Sequence, residues 1–273
     1  PAPAARTAAA GHAKPGVPAD DNLNATVWVQ KAVEHDLVYR EIYRNAQEKL
    51  LKALHDPKWD ALPHGERSGP VAGLKPAVIL DVDETVLDNS AYEARLIKHR
   101  QSYNEATWAM WVKQEKARAL PGALAFTRYA ARHGITVFYL TNRAKDLGPA
   151  TLDNLRKLGF PIQNQHVFMG LGTYVKGCEL IGTQKTCRRE LIGRKYRVLM
   201  QFGDQIGDFL TVLSNTPKGR RSAVQPYMSW FGDRWFVFPN PTYGSWEPAL
   251  FGNDWSQPAT LRRKAKIDSL RTN

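Results

Sequence analysis

Two rhythms of apolar residues run along the chain, and each predicts a different element. Between Asn24 and Leu54 the positions Val29, Val33, Leu37, Ile42, Ala46, Leu50 and Leu54 recur mostly every fourth residue with charges between them. That spacing predicts one long amphipathic helix. Further on the rhythm changes to short apolar runs: Ala77-Val-Ile-Leu80, Ile135-Thr-Val-Phe-Tyr-Leu140, His166-Val-Phe-Met169 and Arg197-Val-Leu-Met-Gln-Phe202. Runs of this length and makeup predict strands buried on both faces. Helical segments separate them at 122–133, closed by His133-Gly134, at 147–158, closed by Gly159, and at 185–193. Residues 90–117 hold Tyr92, Leu96, Trp108 and Trp111 among charges and predict two helices inserted after the first strand. Asp88-Asn89-Ser90 reads as the cap of the first.

The recurring strand–helix order predicts an α/β fold: a Rossmann-like parallel sheet covered by helices on both faces. A smaller helical cap comes from the N-terminal helix and the insertion. Residues 1–20, rich in Ala and Pro, read as a flexible tether. Residues 21–60 hold the N-terminal helix packing with the cap, 76–90 and 118–216 the core, and 91–117 the cap insertion. The Pro-, Gly- and aromatic-rich segment 217–273 completes core and substrate site, but no regular architecture can be assigned to it.

A net charge of +12 over 273 residues favours encounter with anions such as phosphate esters, nucleic acid or an acidic membrane surface. The basic residues are dispersed, with short clusters only at Arg188-Arg189, Lys218-Gly-Arg-Arg221 and Arg262-Arg-Lys264. None makes a nucleic-acid module, so no polymeric nucleic acid is expected as partner. No stretch approaches the roughly 20 apolar residues of a membrane span, and no signal-peptide core is present. The first residue is Pro1, which reads as a trimmed start. Cys178 and Cys187 suit neither a zinc knuckle nor a redox pair. A small disulfide-closed loop and two independent buried thiols both remain open.

The chemistry collects where strands end. The first apolar run delivers Asp81 and Asp83, the second runs into Thr141-Asn142-Arg143, and the last leads to Gly203-Asp204 with Asp208 four positions on. In open α/β sheets the carboxyl ends of parallel strands face the ligand crevice. Carboxylates crowded there need a cation, since neighbouring negative charges otherwise force some of them to protonate. Oxygen-only donors favour Mg²⁺ over zinc, with Asp81 and Asp204 as the carboxylate ligands.

Asp-Val-Asp-Glu-Thr-Val-Leu-Asp-Asn at 81–89, Phe-Tyr-Leu-Thr-Asn-Arg at 138–143, Gln-Lys-Thr-Cys-Arg-Arg at 184–189 and Gly-Asp-Gln-Ile-Gly-Asp-Phe at 203–209 resemble the four ordered motifs of the haloacid dehalogenase superfamily. More narrowly they resemble its class C acid phosphatases, the bacterial lipoprotein 5′-nucleotidase group. Ala25-Thr-Val-Trp-Val-Gln30 and Pro239-Asn-Pro-Thr-Tyr-Gly-Ser-Trp-Glu247 are similar to that group too. The resemblance implies that Asp81 is the nucleophile and Asp83 the general acid and base, its backbone carbonyl joining Asp81 and Asp204 around the metal. It implies Thr141, Asn142 and Lys185 as phosphate-binding residues, Asp208 as an orienting residue behind them, and Trp108, Tyr243 and Trp246 as aromatics around a nucleoside base. Gln205 and Gly207 stand where such proteins often carry Asn and Asn or Asp, so hydrogen bonding behind the metal is expected to differ.

The expected activity is hydrolysis of small phosphomonoesters, nucleoside 5′-monophosphates first among them. A broad phosphatase or phosphotransferase without nucleotide preference, or a non-catalytic basic binding protein, are the alternatives. The likeness also implies an extracytoplasmic location, periplasmic or on the outer membrane, with anchoring through a removed lipid signal and a possible homodimer.

Overall fold

The computed structural model describes residues 21–178 and 182–272. The expected tether at 1–20 lies outside the described residues. The central strand is β1 (Lys75–Leu80), one of the short apolar runs. Four consecutive residues, Ala77 to Leu80, are buried, and since successive side chains point to opposite faces, both faces of the sheet are covered. Around it stand β4 (Thr136–Ala144), β5 (Phe168–Leu171), β6 (Tyr196–Gly203) and β7 (Trp235–Val237), in the order β5-β4-β1-β6-β7, every pair parallel. The chain moves outward from β1 through β4 to β5, then crosses back to β6 and β7. The order therefore reverses at β1, and the crevice beyond its carboxyl end is the expected ligand site.

Helices α5 (Ala123–Arg132), α6 (Gly148–Leu158) and α7 (Thr186–Gly193) connect the strands. The predicted terminators Gly134 and Gly159 take left-handed conformations at φ 74° and 86°. The insertion forms α3 (Ser90–His99) and α4 (Glu105–Lys113). A two-stranded antiparallel clasp closes its base, β2 (Leu87–Asp88) pairing with β3 (Arg118–Ala119). Asp88 Oδ1 accepts from Ser90 N (2.8 Å), whereas Asn89, the expected partner in that cap, turns its side chain toward the active-site loop.

The N-terminal helix is two helices rather than one: α1 (Leu23–Lys31) and α2 (Val33–His55), with Ala32 between them at ψ 125°. The buried face of α2 is His35, Tyr39, Tyr43, Ala46, Leu50 and Ala53, while Val33 and Leu37 are 64% and 50% exposed. Tertiary contacts decide this. Asn22 Nδ2 donates to Glu93 Oε2 (3.0 Å) and Gln30 Nε2 to Ser90 Oγ (3.2 Å), which turns α1 onto α3. Meanwhile α2 lies on α5, β6 and β7. The Tyr43 ring packs against Phe126, Phe202 and Phe238 at 5.7, 5.6 and 4.8 Å. Burying each such side chain contributes roughly 1.5–3 kcal/mol. Gly122 permits this approach, since a Cβ there would meet Tyr43 Cβ at 2.9 Å.

The C-terminal segment, unassigned from sequence, supplies α8 (Pro217–Val224), the fifth strand β7 and α9 (Ala259–Asp268). Trp235 of β7 is wholly buried, ringed by Phe209, Tyr227, Trp230 and Phe231, and donates from Nε1 to Ala61 O (2.7 Å). Three residues are too short a run for a period to register. Among the described residues, no helix is long and apolar enough to cross a membrane.

Candidate active site

At the end of β1 the ladder continues one residue, Asp81 N donating to Phe202 O of β6 (2.9 Å). The chain then curls around Val82, whose carbonyl accepts from Val86 N (3.0 Å) and Leu87 N (2.9 Å). Asp81 and Asp83 are thus displayed from a fixed loop. Glu84 sits at φ 54°, a conformation that costs of order 1 kcal/mol or more for a residue with a Cβ. Three contacts hold it there: Tyr39 Oη donates to Glu84 O, Tyr43 Oη to Thr85 O (2.7 Å), and Asn89 N to Glu84 Oε1 (2.8 Å). Helix α2 therefore braces the loop from behind.

Lys185, at the start of α7, is 3% exposed. Its Nζ donates to Asp81 Oδ1 (2.6 Å), Asp208 Oδ1 (2.7 Å) and Leu140 O of β4 (2.7 Å), so all three of its protons are used. Burial alone lowers the pKa of this ammonium, but Asp208 and Asp81 outweigh it and hold the group above its ordinary value as a cation. Asp204 follows Gly203 at the end of β6. A side chain at Gly203 would collide with Asp208 Oδ2 at 2.2 Å, so the glycine lets Asp208 reach back to the strand end.

Ligating oxygens of Asp81, Asp204 and Asp208 lie within 4.8 Å of one another. Burial, and the nearby carboxylates Asp208, Asp204 and Asp83 opposing Lys185, push Asp81 well above the usual carboxylate range. Burial and Asp208 push Asp204 up to about 7. Three acids against one ammonium leave surplus negative charge, which suits a divalent cation with oxygen ligands. Both oxygens of Asp208 are engaged, Oδ1 by Lys185 and Oδ2 by Gln205 N (2.8 Å). Among the described residues, by contrast, no hydrogen-bond donor reaches Asp81 Oδ2 or Asp204 Oδ1. The donor set thus fits a metal held by Asp81 and Asp204 with Asp208 behind it.

Asp83 faces the other way. Its Oδ1 accepts from Arg143 Nη2 (2.8 Å), Arg143 Nε (3.0 Å) and Asn89 Nδ2 (2.8 Å), and its Oδ2 lies 3.4 Å from Thr141 Oγ1. Thr141 and Asn142 belong to β4 itself. Asn142 is exposed, its Oδ1 accepting from Arg188 Nη2 (2.7 Å), and Arg188 Nη1 holds Thr141 O (2.6 Å). Burial lowers the Arg188 pKa to about 10. Arg189 forks onto Glu66 (2.7 and 2.6 Å) and donates to the carbonyls of Gly207 and Asp208 (3.2 and 3.3 Å), fixing the last motif. The Arg188-Arg189 pair, a basic cluster in the sequence, is buried structure.

Gln205, one of the two departures noted in the last motif, ties Asp204 to the C-terminal segment. Its Nε2 donates to Asp204 Oδ2 (2.8 Å) and Tyr243 O (3.3 Å), and its Oε1 accepts from Ser245 N (3.2 Å). Asn240 Nδ2 also holds Asp204 Oδ2 (2.8 Å). The sequence pointed to no place in the site for Arg143, Arg188, Arg189, Glu66, Asn89 or Asn240, although Arg143, Arg188, Arg189, Asn89 and Asn240 all stand inside segments it singled out and Asn89 was expected in a helix cap.

The three aromatic candidates are not equivalent. Trp108 of α4 packs edge-on against Tyr92 at 5.2 Å, and the Arg143 guanidinium lies 5.5 Å from its ring centre. Tyr243 is tied to the acid cluster through its carbonyl. Trp246 is 37% exposed. Among the described residues, no ring contact joins Trp108 to Tyr243 or Trp246. Cys178 and Cys187 form a disulfide, with Cα atoms 5.5 Å apart, that closes the loop leading to Lys185.

The family model "HAD superfamily, subfamily IIIB (Acid phosphatase)" matches residues 17–246. A class C acid phosphatase from Bacillus anthracis, solved with tungstate bound, superposes with a TM-score of 0.80 at 31% identity, covering 92% of this chain and 97% of that one. The structure solved under the plain name of the same enzyme gives the same figures. "Acid phosphatase 1" of Solanum lycopersicum is 26% identical over 165 residues, 60% of this chain and 57% of that protein. The "Stem 31 kDa glycoprotein" of Glycine max is 27% identical over 132 residues, 48% of this chain and 51% of that protein. The chain thus matches little more than half the length of these plant relatives.

Proposed function

The chain belongs to subfamily IIIB of the haloacid dehalogenase superfamily, the acid phosphatases, and from that premise we propose that it is a Mg²⁺-dependent phosphomonoesterase acting on nucleoside 5′-monophosphates and related small esters. One observation carries the reading: a buried lysine sits between Asp81 and Asp208 while, among the described residues, no hydrogen-bond donor reaches the second oxygen of Asp81. Lys185 fixes the orientation of Asp81 and offers positive charge where phosphoryl oxygens gather. A carboxylate so placed is a nucleophile in waiting.

Asp81 attacks phosphorus, the bond to the leaving alcohol breaks, and Asp83 gives that oxygen its proton. Water then attacks the aspartyl-phosphate, Asp83 takes the proton of the water, and phosphate leaves with Asp81 restored. Thr141 and Asn142 hold the phosphoryl oxygens, and Lys185 joins them as the proton it gives Asp81 Oδ1 turns to a phosphoryl oxygen. Asp81 and Asp204, with the backbone carbonyl of Asp83, would hold Mg²⁺, which would supply charge neutralisation for the phosphoryl group. The tungstate held by the Bacillus anthracis relative is an oxyanion of the same class as phosphate, which supports a phosphoryl-binding protein. The Cys178–Cys187 disulfide supports an oxidising, extracytoplasmic location.

Trp108, with Tyr243 and Trp246, is the nucleoside-facing set. A second reading, a broad phosphatase without nucleotide preference, is favoured by the Trp108 ring being already engaged by Arg143 and Tyr92. A single substrate panel tests both. Asp81→Asn abolishes turnover of every ester, whereas Trp108→Ala raises KM for nucleoside 5′-monophosphates by roughly 10-fold, in line with about 1–3 kcal/mol of stacking, and barely alters KM for p-nitrophenyl phosphate. Equal changes on both esters in Trp108→Ala support the broad phosphatase; an active Asp81→Asn protein removes Asp81 as the nucleophile, and a parent as inactive as Asp81→Asn removes the phosphatase reading.

A further inference from the structure

Asp83 is clamped from one side only, and the clamp leads into the inserted helices. Arg143 is 2% exposed, and every nitrogen of its fork has a partner. Nε and Nη2 converge on Asp83 Oδ1 (3.0 and 2.8 Å), with Nε also 3.3 Å from Oδ2. Nη2 reaches Asn89 Oδ1 (3.3 Å) and Nη1 reaches Thr151 Oγ1 on α6 (3.1 Å), while Trp108 of α4 covers the guanidinium at 5.5 Å. Asn89 makes a second arm. Its Nδ2 donates to the same Asp83 Oδ1 (2.8 Å), and its Oδ1 accepts from Trp111 Nε1 of α4 (2.8 Å). Two tryptophans, one turn apart on one inserted helix, thus bear on one carboxylate oxygen through two intermediaries.

Asp83 Oδ1 receives three short hydrogen bonds, and among the described residues Oδ2 receives only the long contacts from Thr141 and Arg143 Nε. The two oxygens are therefore not interchangeable. We propose that Arg143 is a positioning residue that, with Asn89, anchors Asp83 Oδ1 and presents Oδ2 to the leaving oxygen, so that the seating of α4 sets the aim of the acid. This rests on the reading of Asp83 as the proton donor. A planar fork suits the task because it fixes direction as well as charge, which a lysine does not. An acid aimed poorly still lies near the site but transfers its proton less often in the bond-breaking step.

The test compares an alkyl phosphate, whose alcohol cannot leave without a proton, with p-nitrophenyl phosphate, whose phenolate can. Asp83→Asn loses on the order of 10²–10⁴-fold in kcat/KM, which reports the alcohol-releasing step and not the later attack of water, on the alkyl ester and far less on the nitrophenyl ester. Arg143→Gln reproduces that selectivity, with a loss roughly 10-fold or more greater on the alkyl ester and KM within about twofold on both; Arg143→Lys, which keeps the charge and guards against misfolding, falls between Arg143→Gln and the parent. Trp111→Phe, which removes only the indole donor, shifts the same ratio in the same direction by a smaller factor. Equal losses on both esters in Arg143→Gln and Arg143→Lys, beside a selective loss in Asp83→Asn, overturn the positioning role alone. Equal losses in Asp83→Asn itself overturn the proton-donor reading and the positioning role with it.

Discussion

The strand-end acid cluster and the aromatic rim are built on opposite principles. Asp81, Asp204 and Asp208 follow β1 and β6 and Lys185 starts α7, and their supporting contacts are buried or part-buried: Lys185 on three oxygens, Gln205 and Asn240 on Asp204, Arg189 and Glu66 under the last loop. Trp108, Tyr243 and Trp246 come from the insertion and from the segment after β7, and they share no ring contact among the described residues. Rigid elements hold chemistry to fractions of an ångström, while additions at the rim can vary without disturbing it. Arg143 is where the two meet, touching Asp83 with its fork and Trp108 with its face.

The sharpest break in this contrast is Lys185→Met. It leaves Asp81 and Asp208 buried side by side without their cation, so kcat falls by on the order of 10³-fold and stability by about 3–5 kcal/mol. Steady-state kinetics and thermal melts measure both. The rim counterpart, Trp246→Ala, keeps kcat within about threefold and the melting temperature within about 2 °C. Comparable losses at the two positions would erase the distinction.

A smaller effect comes from the charge surplus. The folded-state pKa of Asp204 is about 7, against an ordinary value of 3.8, so between those pH values the native protein holds a proton that the unfolded chain has released. For a raised carboxylate this makes stability of the metal-free protein fall as pH climbs from about 4 to about 7, read as a falling Tm. The raised Asp81 acts in the same direction. Mg²⁺ competes with those protons, so the Tm gained on adding it is larger at pH 7 than at pH 5. A gain independent of pH would show that the cation binds elsewhere.

Much of the acid cluster was legible because strands advertise themselves as apolar runs and their ends as abrupt polar residues: Leu80 to Asp81, Leu140 to Thr141, Gly203 to Asp204. The bracing was not. Arg143, Arg188 and Arg189 look like solvated charge in any composition, and the partner of Arg189, Glu66, lies 123 residues away. Burial of an arginine is a property of the fold, not of its neighbours in sequence. The break at Ala32 was hidden because Val29, Val33 and Leu37 keep a regular spacing although the latter two face solvent, while the phase of α2 is set by Tyr39 and Tyr43. Among eight tryptophans, nothing in the chain separates Trp235 in the core from Trp246 at the surface. Gln205 was visible as a departure, but its bridge from Asp204 to Ser245 needed the tertiary structure.

The most direct measurement is a crystal of this protein soaked with Mg²⁺ and orthovanadate. The account predicts a metal at about 2.0–2.1 Å from one oxygen each of Asp81 and Asp204, with vanadium in line with Asp81 and its oxygens on Lys185 and Thr141. Vanadate bound away from Asp81, or a metal coordinated by Asp208 in place of Asp81, would contradict it.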